Sequence, residues 1–142
     1  MSLFSEYPIV HEQNVAWGDM DAFGHVNNVI YYRYIESARI NYFDALNIFE
    51  QKVLTVVASN QCKYLRPVFY PDQLKIAVRV DELRNSAMRM TYQLFSTVQN
   101  ELVATAEAVI VCVDQENMQK AAIPEDIREK ILKMEHAVGN LI

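Results

Sequence analysis

Twenty consecutive residues, Asn28 to Asn47, contain neither Gly nor Pro, and this stretch most limits what the chain can fold into. Tyr31, Ile35, Ala38, Tyr42, Leu46 and Phe49 recur every three or four residues, the spacing of one helix face. Arg33, Ser37, Asn41 and Asp44 form a polar stripe, while Val29, Ile30, Tyr32, Ile40 and Phe43 widen the apolar side. So broad an apolar surface predicts a helix buried on more than one side. The rest of the chain must wrap around it. Asn27-Asn28 mark its start, because Asn is a strong N-cap residue.

Beyond the helix the apolar period changes from 3.6 to 2. Leu74, Ile76, Val78 and Val80 alternate with Lys75 and Arg79, and Met88, Met90, Tyr92 and Leu94 alternate with Arg89, Thr91 and Gln93. Strands are predicted at 9–17, 53–64, 73–80, 88–98 and 102–113. The breaks fall at Pro67, Pro71-Asp72, Arg84-Asn85-Ser86 and Gln99-Asn100-Glu101. Pro124, followed by Glu125 and Asp126, opens a short helix to about His136. One long helix and one antiparallel sheet of about five strands make a two-layer α+β domain spanning 1–142.

The formal net charge of −5 makes the chain a poor non-specific binder of nucleic acid or anionic lipid. Its longest apolar run, Ala108 to Val113, is far shorter than the ~20 residues of a membrane span. Met1 to Pro8 lacks the basic and apolar regions of a signal peptide, so a cytoplasmic location is expected. Cys62 and Cys112 form no CxxC pair, and with three histidines they show no zinc spacing. No metal or cofactor is called for.

The chemistry concentrates in Gly18-Asp19-Met20-Asp21-Ala22-Phe23-Gly24-His25, a loop that runs into the helix start. A helix N-terminus offers up to four unpaired N–H groups and about half a positive charge, which together form a ready oxyanion hole. From the residues alone, Asp21 is either an Asx-turn former or a carboxylate placed to act beside that hole. His25 is either a partner of the carboxylate or a tie between loop and helix. Glu36 and Arg39, at i and i+3, read as a structural ion pair.

Trp17-Gly18-Asp19-Met20-Asp21-Ala22-Phe23-Gly24-His25-Val26-Asn27-Asn28 resembles, nearly position for position, a loop of the 4-hydroxybenzoyl-CoA thioesterase-like family. Tyr31 to Tyr34, Glu36-Ser37-Ala38-Arg39, Tyr64-Leu65-Arg66-Pro67, Glu101 to Thr105 and Ile123-Pro124-Glu125 are similar to further family motifs. The resemblance implies a hot-dog fold, with the sheet wrapped around the long helix. It also implies a homo-oligomer, dimer or tetramer, with sites at the subunit interface. The implied activity is hydrolysis of an acyl-CoA, with acyl carrier protein thioesters as a further substrate class.

Carried over residue by residue, Asp21 matches the catalytic carboxylate and the Asn28 backbone amide the polarising donor, with His25 beside them and Asp19 as a helper. Asn27, Tyr31 and Asn60 are the expected acyl-side contacts. Arg66, Arg84 and Ser86, with Lys63 and Arg89 nearby, are expected toward coenzyme A. The family's Gly before this Ser is absent, so Asn85 is expected in the left-handed region. Two rivals stay open at this point: a hot-dog acyl-CoA hydratase or dehydratase, and a non-catalytic acyl-CoA binder.

Overall fold

The computed structural model describes residues 4–142. The elements run β1 (Ile9–Asn14), α1 (Asn28–Ala45), β2 (Val53–Tyr64), β3 (Gln73–Leu83), β4 (Ala87–Ser96), β5 (Glu101–Asp114) and α2 (Glu125–Ala137). The strands form one antiparallel sheet in the order β1-β3-β4-β5-β2.

The alternation read from the sequence decides which face of the sheet is covered. Leu74, Ile76, Val78 and Val80 of β3 and Met88, Met90 and Leu94 of β4 are fully buried. The intervening Lys75, Arg79, Arg89, Thr91 and Gln93 are half-buried on the other face. Tyr31, Tyr34, Ile35, Ala38, Tyr42 and Phe43 of α1 complete this core, with α1 lying against β1 and β3.

The start of α1 is set as expected: Asn27 is the N-cap, and its Oδ1 accepts from the Val29 N–H at 3.1 Å. The helix ends at Ala45, two residues early, because Asn47 takes the left-handed conformation, with φ 55°. β1 also stops early, at Asn14. There the Asp19 carboxylate accepts from the Ala16 N–H at 3.2 Å and closes a 3₁₀ turn over Trp17–Asp19. The same carboxylate takes the Tyr34 hydroxyl, which ties this turn to α1. Asp19 is thus a structural clamp.

Two local expectations are corrected. Asn85 is not left-handed; that role falls to Asn100, with φ 56°, in the β4–β5 turn. Glu36 and Arg39 form no ion pair. Arg39 turns inward, only 6 % exposed, and donates to the Tyr92 hydroxyl at 3.1 Å, while Glu36 faces outward.

Burial of α1 on more than one side is not reached within one chain. Val29 and Ile40 stay exposed, as do Phe49 beyond the helix and Leu54, Val56, Val57 and Tyr64 of β2. β2 pairs only with β5, so its other edge is open along all 12 residues.

Candidate active site

The loop between β1 and α1 closes over the end of the sheet where β2 finishes. The Val26 N–H donates to the Val68 carbonyl at 2.8 Å, and the Asn27 N–H donates to the Asp19 carbonyl at 3.0 Å. These bonds hold Asp21, His25 and the first residue of α1 around a cavity of about 330 Å³. Its remaining walls are Tyr31 from α1 and Tyr64, Leu65, Arg66 and Pro67 from the end of β2.

Asp21 divides its two oxygens between both readings of the sequence. Oδ1 accepts from the Phe23 N–H at 2.9 Å and the His25 N–H at 3.5 Å, an Asx-type turn that fixes the side chain. Oδ2 faces the His25 Nδ1 at 3.6 Å, too long for a strong bond, and is otherwise unengaged. Holding one oxygen while leaving the other open is how a carboxylate is pre-positioned. The His25 ring is set between Phe23 and Phe69, with centroids 6.4 and 5.9 Å away.

At the helix start, the Val29 N–H is taken by Asn27 Oδ1 and the Ile30 N–H by the Asn27 carbonyl. The Asn28 N–H has no acceptor among the described residues. It is therefore the open donor of the first turn, in the same cavity as Asp21. Burial first, and then the nearby Cys62 thiol, push the Tyr31 phenol up to about 12, so it stays neutral at working pH. Burial also pushes the Cys62 thiol up, which keeps it a thiol and a poor nucleophile.

A larger hollow of about 410 Å³ lies around Tyr7, Gln61, Lys63, Thr91 and Gln93. Its one carboxylate, Glu107, is engaged by Gln61. It lacks the open carboxylate and open helix amide that distinguish the smaller cavity.

The family model described as the thioesterase-like superfamily matches residues 15–131. The chain belongs to that superfamily. Its fold is the hot-dog fold of solved thioesterases. This thioesterase-like chain is 33% identical to a thioesterase from Thermus thermophilus solved in complex with coenzyme A and Zn, with a TM-score of 0.81. That match covers 92% of this chain and 97% of the other. The acyl-CoA thioester hydrolase YbgC of Escherichia coli is 28% identical over 80% of this chain and 87% of its own length. The long-chain acyl-CoA thioesterase FadM of Escherichia coli is 25% identical over 81% and 90%.

The superfamily's loop thus brings together Asp21, His25, the Asn28 amide, Tyr31 and Arg66. Asn27 stands behind them as the cap. Asn60 sits further along β2, on the helix-side face, and is exposed. Arg84 and Ser86 are not brought to this site. Their turn joins β3 to β4 at the opposite end of the sheet, on the order of 30 Å away along the strands. Three of the expected basic contacts also carry acid partners. Arg66 pairs with Glu101 at 2.5 Å, Arg89 with Asp81 at 2.8 Å, and Arg84 with Glu82. Two further residues, Tyr64 in the cavity wall and Phe69 against the His25 ring, were not singled out for the site by sequence. Their contacts to Asn28 and His25 span 36 and 44 residues of chain, beyond any local pattern.

Proposed function

We propose that this protein hydrolyses the thioester bond of an acyl-coenzyme A to the free acid and coenzyme A. The observation that carries the reading is the open Oδ2 of Asp21 in one cavity with the unpaired Asn28 N–H. The names of YbgC and FadM and the coenzyme A bound to the Thermus thioesterase support the substrate class. The carbonyl oxygen docks on the Asn28 amide, where the positive end of the helix stabilises the developing oxyanion. Asp21 either takes a proton from water, whose oxygen adds to the carbonyl carbon, or adds to that carbon itself. The C–S bond then breaks. On the first route coenzyme A leaves as the thiol with the proton that Asp21 took from water. On the second it leaves as the thiolate, and water then hydrolyses the mixed anhydride on Asp21, releasing the free acid and the proton that the thiolate takes up.

This route asks for no metal, and among the described residues no three His, Cys, Asp or Glu side chains gather as a metal site. The test is thiol release from short, medium, long and aromatic acyl-CoAs and from an acyl carrier protein thioester, with and without a chelator. Release is expected at one rate in both conditions. Binding without release from any ester would leave an acyl-CoA binder. Loss of rate in chelator, restored by a divalent ion, would overturn the metal-free route.

The open edge of β2 and the exposed apolar residues beside it support assembly with a second copy through that strand. Antiparallel pairing of β2 with its copy sets the far end of one sheet beside the near end of the other. The Arg84–Ser86 turn of one chain then reaches the end that holds Asp21 in its neighbour, which would restore Arg84 and Ser86 to a shared site. Light scattering at micromolar concentration is expected to give at least twice the mass of one chain. A monomer at that concentration would sink the shared site.

A further inference from the structure

The Asn28 amide is bracketed by two tethers. On its N-terminal side, the Asn27 N–H donates to the Asp19 carbonyl at 3.0 Å. On its C-terminal side, the Tyr64 phenol donates to the Asn28 carbonyl at 3.0 Å. Tyr64 is the last residue of β2 and Asn28 the first of α1, so this bond joins the edge strand to the helix start. The Tyr64 ring also meets Tyr31 edge-on, with centroids 4.9 Å apart and planes at 88°. Both rings line the cavity that holds Asp21.

We infer that Tyr64 is a positioning residue for the reaction: its hydroxyl holds the first peptide units of α1 so that the Asn28 N–H points at the thioester oxygen. Helix ends fray unless tied down. An oxyanion donor works only when fixed at hydrogen-bond distance from the place where the charge develops. A displacement of about 1 Å at such a donor costs up to about 10² in rate. Burial, and next the Cys62 thiol, raise the Tyr64 phenol well above its ordinary range, so it remains a donor at any working pH.

The inference rests on the thioesterase reading for its kinetic arm, and a second arm is independent of activity. Tyr64→Phe keeps the ring and its packing on Tyr31 and removes only the hydroxyl. It is expected to lower kcat about tenfold with KM within about twofold, by the same factor for short and long acyl chains. Hydrogen exchange at the Val29 and Ile30 amides is expected to speed up while the melting temperature stays within a few degrees. Wild-type kcat, or a rise in KM alone, would overturn the inference, since a mere wall of the acyl site moves KM. Unchanged exchange at Val29 and Ile30 would overturn it as well. Should the wild type release no thiol from any ester, the thioesterase reading fails by itself, and the exchange arm still decides what Tyr64 does.

Discussion

Asp21→Asn is expected to lower kcat by at least about a hundredfold while KM changes little. General-base catalysis contributes about 10²–10⁴-fold, and an amide neither takes a proton from water nor adds to a thioester. The substitution is otherwise gentle. Asn keeps the side-chain oxygen that accepts from the Phe23 and His25 N–H groups, so the loop holds its shape. The Asn28 amide and the helix dipole behind it are untouched, so the carbonyl still docks. The loss therefore falls on the transition state and not on binding. Glu36→Gln is expected to cost far less, because Glu36 is exposed and lines a separate hollow with Arg39, Phe43, Thr55 and Val57, not the cavity that holds Asp21. Steady-state thiol release checks both variants.

Glu135→Ala is expected to destabilise the fold by about 3–5 kcal/mol, the cost of leaving buried hydrogen-bond donors unsatisfied. Glu135 is fully buried on α2. Its Oε2 accepts from the Tyr42 hydroxyl at 2.6 Å and from the Val80 N–H at 3.0 Å. Its Oε1 accepts from Asn140 at 2.8 Å. One carboxylate therefore ties α1, β3 and the C-terminal segment together. β1 covers β3 only as far as Val78, and the Val80 N–H beyond it takes the side chain as its acceptor. Alanine leaves the buried Tyr42 hydroxyl and Val80 N–H without partners, takes from Asn140 one of its two acceptors, the other being the Glu6 carbonyl, and leaves a void beside Ile131 and Tyr42. For a chain of this length the loss corresponds to a fall of roughly 10 °C or more in melting temperature. A melt within about 2 °C of wild type would show that the network contributes little.

The readable parts of this molecule are those set by local periodicity and capping. The α1 stripe, the Asn27 cap and the alternation in β3 and β4 are all short-range patterns, and each is found where its residues place it. The ends of elements were less legible. β1 gives way at Asn14 because Asp19 offers its carboxylate to the Ala16 N–H, a side-chain contest that an apolar run does not reveal. The Glu36–Arg39 pair failed for a similar reason. Spacing brings the two near each other, but the buried Tyr92 hydroxyl, 53 residues away, is the partner Arg39 takes. That Asp21 and Asn28 line one cavity was legible because both lie within eight residues of chain, in one loop that runs into the helix start. Tyr64 and Phe69 enter through tertiary contacts, and strand order sets Arg84 and Ser86 at the other end of the sheet. One chain's sequence states neither.

The most direct test of the account is a single turnover of saturating enzyme with an acyl-CoA that the wild type hydrolyses, followed by rapid quench and read as acid formed. With Asp21→Asn, bound ester is expected to persist at least about a hundred times longer than with wild type, at equal occupancy. Cleavage of the bound ester at the wild-type rate would contradict the account and move the reacting carboxylate away from Asp21.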